Sequence, residues 1–123
     1  NFFVTILSFG FKHGIPADAD LVFDVRFLKN PYYVPELKNL TGQEQEVRDY
    51  VLSSPMAPAF LDKLEELLLF LIPDYIEEGK NQLVVAVGCT GGKHRSVTVA
   101  YELAKRLKKA EYGIKTDHRD ISR

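Results

Sequence analysis

The chain has 123 residues, of which 46% are hydrophobic, and this size and composition allow one domain with one continuous core. Its 16 basic and 17 acidic residues give a formal net charge of -1, so contact with nucleic acid would require a local basic patch. One cysteine excludes an internal disulfide, and the apolar run from Leu67 to Ile72 is too short to cross a membrane. These features predict a cytoplasmic location and no membrane partner.

The first residues predict a piece of a longer protein. The chain begins at Asn1 instead of methionine, and an apolar, strand-like segment follows almost at once. No Gly-x-x-x-x-Gly-Lys-Ser/Thr sequence is present, so we expect no nucleotide triphosphate loop and no ATP hydrolysis in this part. The expected organisation is a single domain over residues 1–123.

Four segments have the composition of strands: Phe3 to Ser8, Leu21 to Phe27, Leu83 to Gly88 and Ile114 to Asp117. The third is apolar on both faces, which is typical of a central strand in a parallel sheet. The second alternates in polarity, so Asp24 and Arg26 are expected to share one face of that strand.

Three helices are predicted from apolar residues at helical spacing. The first begins at Thr41, with Glu44 three residues later in a capping-box pattern, and stops at Ser53-Ser54-Pro55. The second begins near Pro58 and ends or kinks at Pro73. The third begins at Ser96 and directs apolar side chains inward, namely Val97, Ala100, Leu103, Ala104 and Leu107.

The alternation of strands and helices predicts an α/β fold, a small and mostly parallel sheet flanked by helices. In such folds the ligand site lies at the carboxyl ends of the strands. Four segments meet at that edge: 8–14, 24–33, 88–96 and 117–119. Functional residues are therefore expected there.

The segment from Gly88 to Ser96 has the features of an anion site. Its three glycines allow successive N–H groups to point inward, and the following helix adds the partial positive charge of its N-terminus. An arginine and two hydroxyl groups supply further donors. We therefore predict phosphate binding by this segment, with Cys89, Thr90, Gly91, Gly92, Lys93, His94, Arg95 and Ser96 as ligand-binding residues. The simpler alternative is a glycine-rich turn in which Ser96 is an ordinary N-cap.

Cys89 and Arg95 also have the Cys-x5-Arg-Ser/Thr spacing of cysteine-dependent phosphatases. A thiol near a helix N-terminus and an arginine can act as a nucleophile. However, Gly88 stands where those enzymes usually have histidine, and no acid loop is apparent, because Asp62 is predicted to be helical and Asp74 to follow a helix. A phosphatase is thus the alternative hypothesis, and Cys89 is predicted to be a small buried residue at a strand end.

The remaining polar residues at this edge have two interpretations each. Asp24 and Arg26 either pair with each other or contact the ligand. Tyr32 and Tyr33 form either a packed loop or a wall of the pocket, and we favour the wall. The histidines His94 and His118 are isolated in the sequence, so no metal site is expected.

Several motifs resemble, in chain order, the C-terminal half of the RapZ and YvcJ nucleotide-binding proteins: Ser8 to Pro16, Asp18 to Asp20, Phe23 to Leu28, Asn30-Pro31, Leu40 to Gly42, and Gly88 to Ser96. The resemblance extends over nearly the whole chain. It implies that an N-terminal domain of the full-length protein binds and hydrolyses ATP or GTP, whereas this half is regulatory, has no catalytic residues and needs no cofactor.

The resemblance also implies a ligand and partners. Enterobacterial relatives sense glucosamine 6-phosphate and bind RNA as an RNase adapter, so the expected partners are a phosphorylated metabolite, small RNA, an RNase, the N-terminal domain and further copies of the chain in a homo-oligomer. Thr90, Gly91 and Arg95 would hold the phosphate of a phosphosugar, or free phosphate or sulfate. Tyr32 follows Asn-Pro where those relatives have histidine, which leaves the sugar open. By the same resemblance Lys12 and His13 would lie at the functional edge, and the expected position of His118 and Arg119 at that edge adds them as RNA-binding candidates.

Overall fold

The computed structural model describes residues 1–123 as four strands and three α-helices. The strands are β1 (Phe3–Gly10), β2 (Leu21–Asp24), β3 (Gln82–Cys89) and β4 (Gly113–His118), and the helices are α1 (Gln45–Leu52), α2 (Ala57–Glu78) and α3 (Arg95–Leu107). Two short 3-10 helices, Phe11–His13 and Pro31–Tyr33, follow β1 and β2 in the chain. No helix is both long enough and apolar enough to span a bilayer.

The sheet has the strand order β2-β3-β1-β4, and all three pairs of strands are parallel. This confirms the predicted α/β fold with a small parallel sheet and flanking helices. The two central strands are apolar and almost wholly buried, as expected for strands covered on both faces. Because the strands are parallel, all four carboxyl ends lie at one edge of the sheet.

Helix α3 packs on β1, β3 and β4, and it also contacts α1 and α2. The five side chains predicted to face inward from it are all buried. Four of them join one apolar cluster with Ile6 of β1 and Val85 of β3. The first turn of α3 is therefore fixed against the strands whose carboxyl ends it follows.

Strand β2 is shorter than predicted, so the expected common face for Asp24 and Arg26 is wrong. The strand ends at Asp24, and Val25 makes one further hydrogen bond from its N–H to the Gly88 carbonyl, at 2.9 Å. The chain then turns, because the Asp24 carboxylate accepts a hydrogen bond from the backbone N–H of Arg26, also at 2.9 Å. A local side-chain bond of this kind competes with the sheet ladder.

Helix α2 continues through Pro73 and ends at Gly79, which has a φ of 108° in the left-handed region that favours glycine. The prediction that the helix ends at Pro73 is thus wrong, and the alternative of a kink there stays a prediction. Ile72 on one side of the proline is fully buried, and Tyr75 on the other side packs against the same core. This packing on both sides holds the helix together despite the lost N–H donor.

Helices α1 and α3 also begin at residues other than the predicted ones. Helix α1 begins at Gln45, although the Glu44 carboxylate does accept a hydrogen bond from the Thr41 N–H at 2.8 Å within the preceding turn. Helix α3 begins at Arg95, and Ser96 is not its N-cap. The Ser96 hydroxyl is fully buried and accepts a hydrogen bond from the Cys89 thiol at 3.1 Å.

Candidate functional site

The loop that joins β3 to α3 lies in close contact with the end of β1, and glycines make this contact possible. Gly92 has a φ of 82°, and a Cβ there would lie 2.6 Å from the Gly10 nitrogen. A Cβ on Gly10 would in turn lie 2.4 Å from the carbonyl carbon of Gly91. Any larger residue at either position would push the loop away from the strand.

The backbone of this loop is fixed by hydrogen bonds that its carbonyl groups accept, while its N–H groups make no hydrogen bond within the protein. The Thr90 carbonyl accepts from the Lys12 N–H at 3.2 Å, and the Lys93 carbonyl accepts from the Gly42 N–H at 2.9 Å. In contrast, none of the N–H groups from Thr90 to His94 donates a hydrogen bond within the protein. A run of free amide donors before a helix N-terminus is a binding arrangement for an anion.

A cavity of about 460 Å³ opens at this loop, within the size range of small-molecule sites. Its lining includes six of the eight predicted loop residues, together with the predicted Lys12 and Tyr32. Tyr33, predicted with Tyr32 as a wall of the pocket, lines it too. Residues that the sequence did not assign to the ligand also line it, namely Asn30, Lys38, Asn39 and Arg123. They come from the segment after β2 and from the C-terminal turn, whose approach to the loop depends on the tertiary fold.

The cavity is strongly cationic. It contains no aspartate or glutamate, and its lining has five side chains with a positive charge, which are Lys12, Lys38, Lys93, Arg95 and Arg123. Only one of these five, Arg123, has a carboxylate oxygen within 4 Å. The charges therefore favour an anion in the cavity.

Arg95 is the most buried of these cations, with 6% of its surface exposed. Its Nη1 donates to the Arg26 carbonyl at 2.6 Å and more weakly to that of Leu28 at 3.4 Å, while its Nη2 lies 3.4 Å from the Thr90 hydroxyl oxygen. A buried charge without an opposite charge is unfavourable for the folded protein. The guanidinium is thus held in place by backbone carbonyls, and its charge is left for a ligand to neutralise.

Tyr32 and Tyr33 form one wall of the cavity and meet edge to face, with ring centroids 5.4 Å apart. The ammonium of Lys38 lies 4.6 Å from the Tyr32 ring centroid. Behind them, the His94 Nε2 is 3.1 Å from the Lys38 carbonyl. Burial lowers the pKa of His94, although hydrogen bonds to the backbone at Leu40 and Lys38 act in the opposite direction. His94 therefore holds the wall and adds no charge to the cavity at neutral pH.

The C-terminal turn places Arg123 at the cavity, and Asp120 holds this arginine in position. The sequence did not single out Asp120. Asp120 is fully buried, accepts from the Gly10 N–H at 2.8 Å, and pairs with the Arg119 and Arg123 guanidinium groups at 2.9 and 2.8 Å. Burial alone would raise the pKa of this carboxyl group, but hydrogen bonds from Arg119 and Gly10 and the nearby positive charges lower it. The only sequence signal is an aspartate two residues after a strand.

The remaining predicted residues lie outside the cavity lining. Gly92 and Ser96 are packed into the protein. Asp24 pairs with Arg26 at 2.7 Å on the surface. His118 is half buried, its Nδ1 lies 2.7 Å from the Ser8 hydroxyl, and burial lowers its pKa.

The RNA-binding residues predicted at this edge do lie near one another. The Arg119 guanidinium donates to the Gly14 carbonyl at 2.7 Å and to the His13 carbonyl at 3.3 Å. Lys12, one residue before His13, has no ion-pair partner and faces the cavity. Arg119 is thus engaged by the protein backbone, whereas the Lys12 ammonium is free.

Cys89 lies in the cavity lining, but it is only 3% exposed, and its thiol donates to the Ser96 hydroxyl. This agrees with the prediction of a small buried residue at a strand end. No carboxylate reaches the cavity, so no aspartate is placed to protonate a leaving group there. The geometry gives the phosphatase alternative a cysteine and an arginine at the right spacing, without a general acid.

Comparison with known proteins gives one family and a consistent set of relatives. The chain is 68% identical to a nucleotide-binding protein of Lachnoclostridium phytofermentans and 61% identical to one of Agathobacter rectalis, over its whole length in both cases. It spans 43% of the length of each of these two relatives. The family model described as the RapZ C-terminal domain matches residues 2–122. The chain therefore belongs to the RapZ C-terminal domain family.

Proposed function

We propose that this domain senses a phosphorylated small molecule, whose phosphate binds at the loop from Thr90 to Arg95. The observation that carries the proposal is a cavity lined by five cationic side chains and no acidic side chain, in which the buried Arg95 lacks an ion-pair partner. An anion supplies the missing charge. Binding of this kind needs no catalytic residue and no cofactor.

The phosphate group would meet several donors at once. The free N–H groups from Thr90 to His94 and the N-terminus of α3 attract its negative charge. The Thr90 hydroxyl and the Arg95 Nη2, which are 3.4 Å apart, can donate to the same phosphate oxygen or to neighbouring ones. Because backbone carbonyls already hold Arg95, little side-chain entropy is lost when the ligand binds.

The body of the ligand would meet a different part of the lining. The two tyrosine rings and the amides of Asn30 and Asn39 line the cavity from the segment that follows β2. Aromatic faces pack on the apolar faces of a sugar ring, and amides donate to and accept from hydroxyl groups. This supports a phosphosugar as the ligand class. The family resemblance makes glucosamine 6-phosphate the first sugar to test.

The regulatory role belongs to the full-length protein. This chain covers about two fifths of the length of the two relatives, which are named nucleotide-binding proteins. We propose that the remainder of the full-length protein binds and hydrolyses the nucleotide, in the cytoplasm, and that occupancy of the cavity changes its activity or its partners. The domain described here acts as the sensor.

Calorimetric titration of the chain tests the proposal with inorganic phosphate, glucose 6-phosphate and glucosamine 6-phosphate. The informative variant is Lys93→Gln, which removes one cavity charge, and the matched control is Lys109→Gln, which removes an exposed charge after α3. We expect about a three- to tenfold loss of affinity for the first, since one charged hydrogen bond is worth about 1.5 kcal/mol or less at an exposed site. The proposal fails if no phosphate compound binds.

RNA is a second candidate ligand, because Lys12, which lines the cavity, is followed by His13, whose carbonyl accepts a hydrogen bond from Arg119. Phosphates of RNA would meet the free Lys12 ammonium there, and binding would weaken steeply with salt. A mobility-shift titration of structured RNA at two salt concentrations compares the parent with Lys12→Gln and with the Lys109→Gln control. Equal binding by the three proteins would confine this edge to small metabolites.

A further inference from the structure

We infer that the loop from Thr90 to Arg95 is one of two adjacent anion subsites, and that the ligand carries two phosphate groups joined as a diphosphate. The second subsite consists of Lys12 and Arg123. The inference rests on the proposed function, because it assumes the first phosphate at the loop. It goes further by naming the chemical class of the ligand.

The strand order places the two subsites side by side. Lys12 follows β1 and Arg123 lies in the turn after β4, and these strands are neighbours on the side of β3 that is opposite to β2. Neighbouring strands are about 4.8 Å apart. The two cations therefore follow neighbouring strands, whereas the tyrosines and asparagines of the same cavity follow β2.

Lys12 is close to the first subsite yet has no partner of its own. Its backbone N–H donates to the Thr90 carbonyl, and its Cε lies 3.9 Å from the point where a Cβ on Gly91 would stand. Its ammonium makes no ion pair within the protein. A phosphate linked through a single bridging oxygen to the first one would lie within reach of this ammonium.

Arg123 is held in position for an anion by the buried Asp120. The Asp120 carboxylate is fixed by the Gly10 N–H and by Arg119, and it holds Arg123 at Nε, at 2.8 Å. Arg123 lines the same cavity, and its Nη groups donate no hydrogen bond within the protein. Asp120 is therefore a positioning residue for a guanidinium whose outer donors are free.

The balance of charge also favours two phosphates. A phosphate monoester carries about -1.5 to -2 charges at neutral pH, which Arg95 and Lys93 already match. Lys12, Lys38 and Arg123 would then remain in the cavity; Lys38 lies over the Tyr32 ring, and the Arg123 charge is partly offset by Asp120. No acidic side chain in the lining would attract the ammonium of an amino sugar. The second phosphate of a diphosphate ester would meet Lys12 and Arg123 and leave the organic part of the ligand for the tyrosine wall.

Calorimetry of the 123-residue chain with inorganic phosphate, pyrophosphate and a hexose 1,6-bisphosphate tests this inference. We expect pyrophosphate to bind at least about tenfold more tightly than phosphate, since each added charge-assisted contact is worth about 1.5 kcal/mol or more. Lys12→Gln and Arg123→Gln should each lower the affinity for pyrophosphate by about fivefold or more, and each should lower the affinity for phosphate by a smaller factor. Lys109→Gln is the control for charge alone and should change neither affinity.

Asp120→Asn separates positioning from simple charge. The variant removes a negative charge near the cavity, so a purely electrostatic effect would tighten pyrophosphate binding, whereas the loss of the Arg123 anchor should weaken it. The introduced amide oxygen can still accept from the Gly10 N–H, and circular dichroism verifies the fold. Tighter binding of pyrophosphate by this variant would overturn the positioning role.

The remaining outcomes are distinct. Equal affinity of the parent for phosphate and pyrophosphate would overturn the second subsite while the proposed phosphate site stands. Tighter binding of the hexose bisphosphate than of pyrophosphate would overturn the adjacent arrangement and put the second phosphate near Lys38. If none of the three compounds binds, the proposed function fails together with the inference.

Discussion

The two ends of α3 each carry an arginine, and their surroundings differ. Arg106, near the carboxyl end, pairs with Asp62 at 2.6 Å and with Glu65 at 3.1 Å, and the hydrogen bond to Asp62 in particular raises the pKa of Arg106. Arg95, at the amino end, is more deeply buried and has no carboxylate within 4 Å. The protein itself neutralises one of these charges and not the other.

This difference separates a structural ion pair from a binding site. Arg106 joins α3 to α2 at the surface, where such pairs contribute little to stability. The Arg95 charge, by contrast, is unfavourable where it lies unless an anion enters the adjoining cavity. Side-chain type alone does not distinguish the two arginines. The distribution of carboxylates around them does.

Replacing each arginine with methionine tests this comparison and should give the largest effect. Arg95→Met is expected to lower phosphate affinity about a hundredfold. Its effect on stability should be small, because the Arg26 carbonyl loses its donor while an unfavourable buried charge is removed. Arg106→Met should change stability by less than about 1 kcal/mol and leave phosphate affinity unchanged. Urea unfolding and calorimetry measure both quantities. Similar losses of phosphate affinity in the two variants would remove the distinction.

Asp120 gives the next largest expected effect, since it brings a carboxylate to the amino end of α3 without entering the cavity. Its lowered pKa means that the folded state favours the ionised carboxylate. Its contribution to stability is therefore complete above the unfolded pKa, about 3.9, and is lost as the pH falls through the folded value. Asp120→Asn should be less stable than the parent at pH 7, and the two should converge in acid. Asp24→Asn, in the exposed pair, is the control.

The sequence predicts the local parts of this site better than it predicts their assembly. The glycines, Thr90 and Arg95 are contiguous in the chain, so their pattern indicates an anion loop before any fold is known. Apolar periodicity likewise locates the sheet and α3. Arg123 and Lys38 become lining residues only because β4 and the segment after β2 end beside the loop. Single side chains such as Asp120 give no periodic signal at all.

The errors in element boundaries have the same origin. Strand β2 ends early because the Asp24 carboxylate accepts a hydrogen bond from the backbone N–H of Arg26, two residues later. This bond depends on one rotamer of Asp24. Helix α2 passes through Pro73 because the buried Ile72 before it and the partly buried Tyr75 after it pack against the same core. In each case a specific contact in the folded protein overrides the secondary-structure propensity of the local sequence.

A smaller effect is expected from the half-buried histidines at the carboxyl edge. Burial lowers the pKa of His118, so the neutral form is favoured in the fold, and this stability is present above the unfolded pKa of about 6.5 and lost as the pH falls through the folded value. His118→Gln should therefore reduce the fall in thermal stability between pH 7 and pH 5. His13→Gln, which changes a histidine of the same edge with no side-chain hydrogen bond, should retain it. Identical pH profiles for the parent and His118→Gln would contradict this role.

The smallest effect is predicted for Cys89→Ser. This variant distinguishes the binding of a phosphate at the amino end of α3 from the hydrolysis of a phosphate ester there. The serine hydroxyl can donate to Ser96 as the thiol does, so phosphate affinity should stay within about twofold, well below the tenfold change that about 1.4 kcal/mol produces. Since no carboxylate reaches the cavity as a general acid, neither protein should hydrolyse an aryl phosphate above the buffer rate. A clear rate in the parent that disappears in Cys89→Ser would instead make Cys89 the nucleophile of a phosphatase, and Arg95 would then neutralise a reacting phosphate.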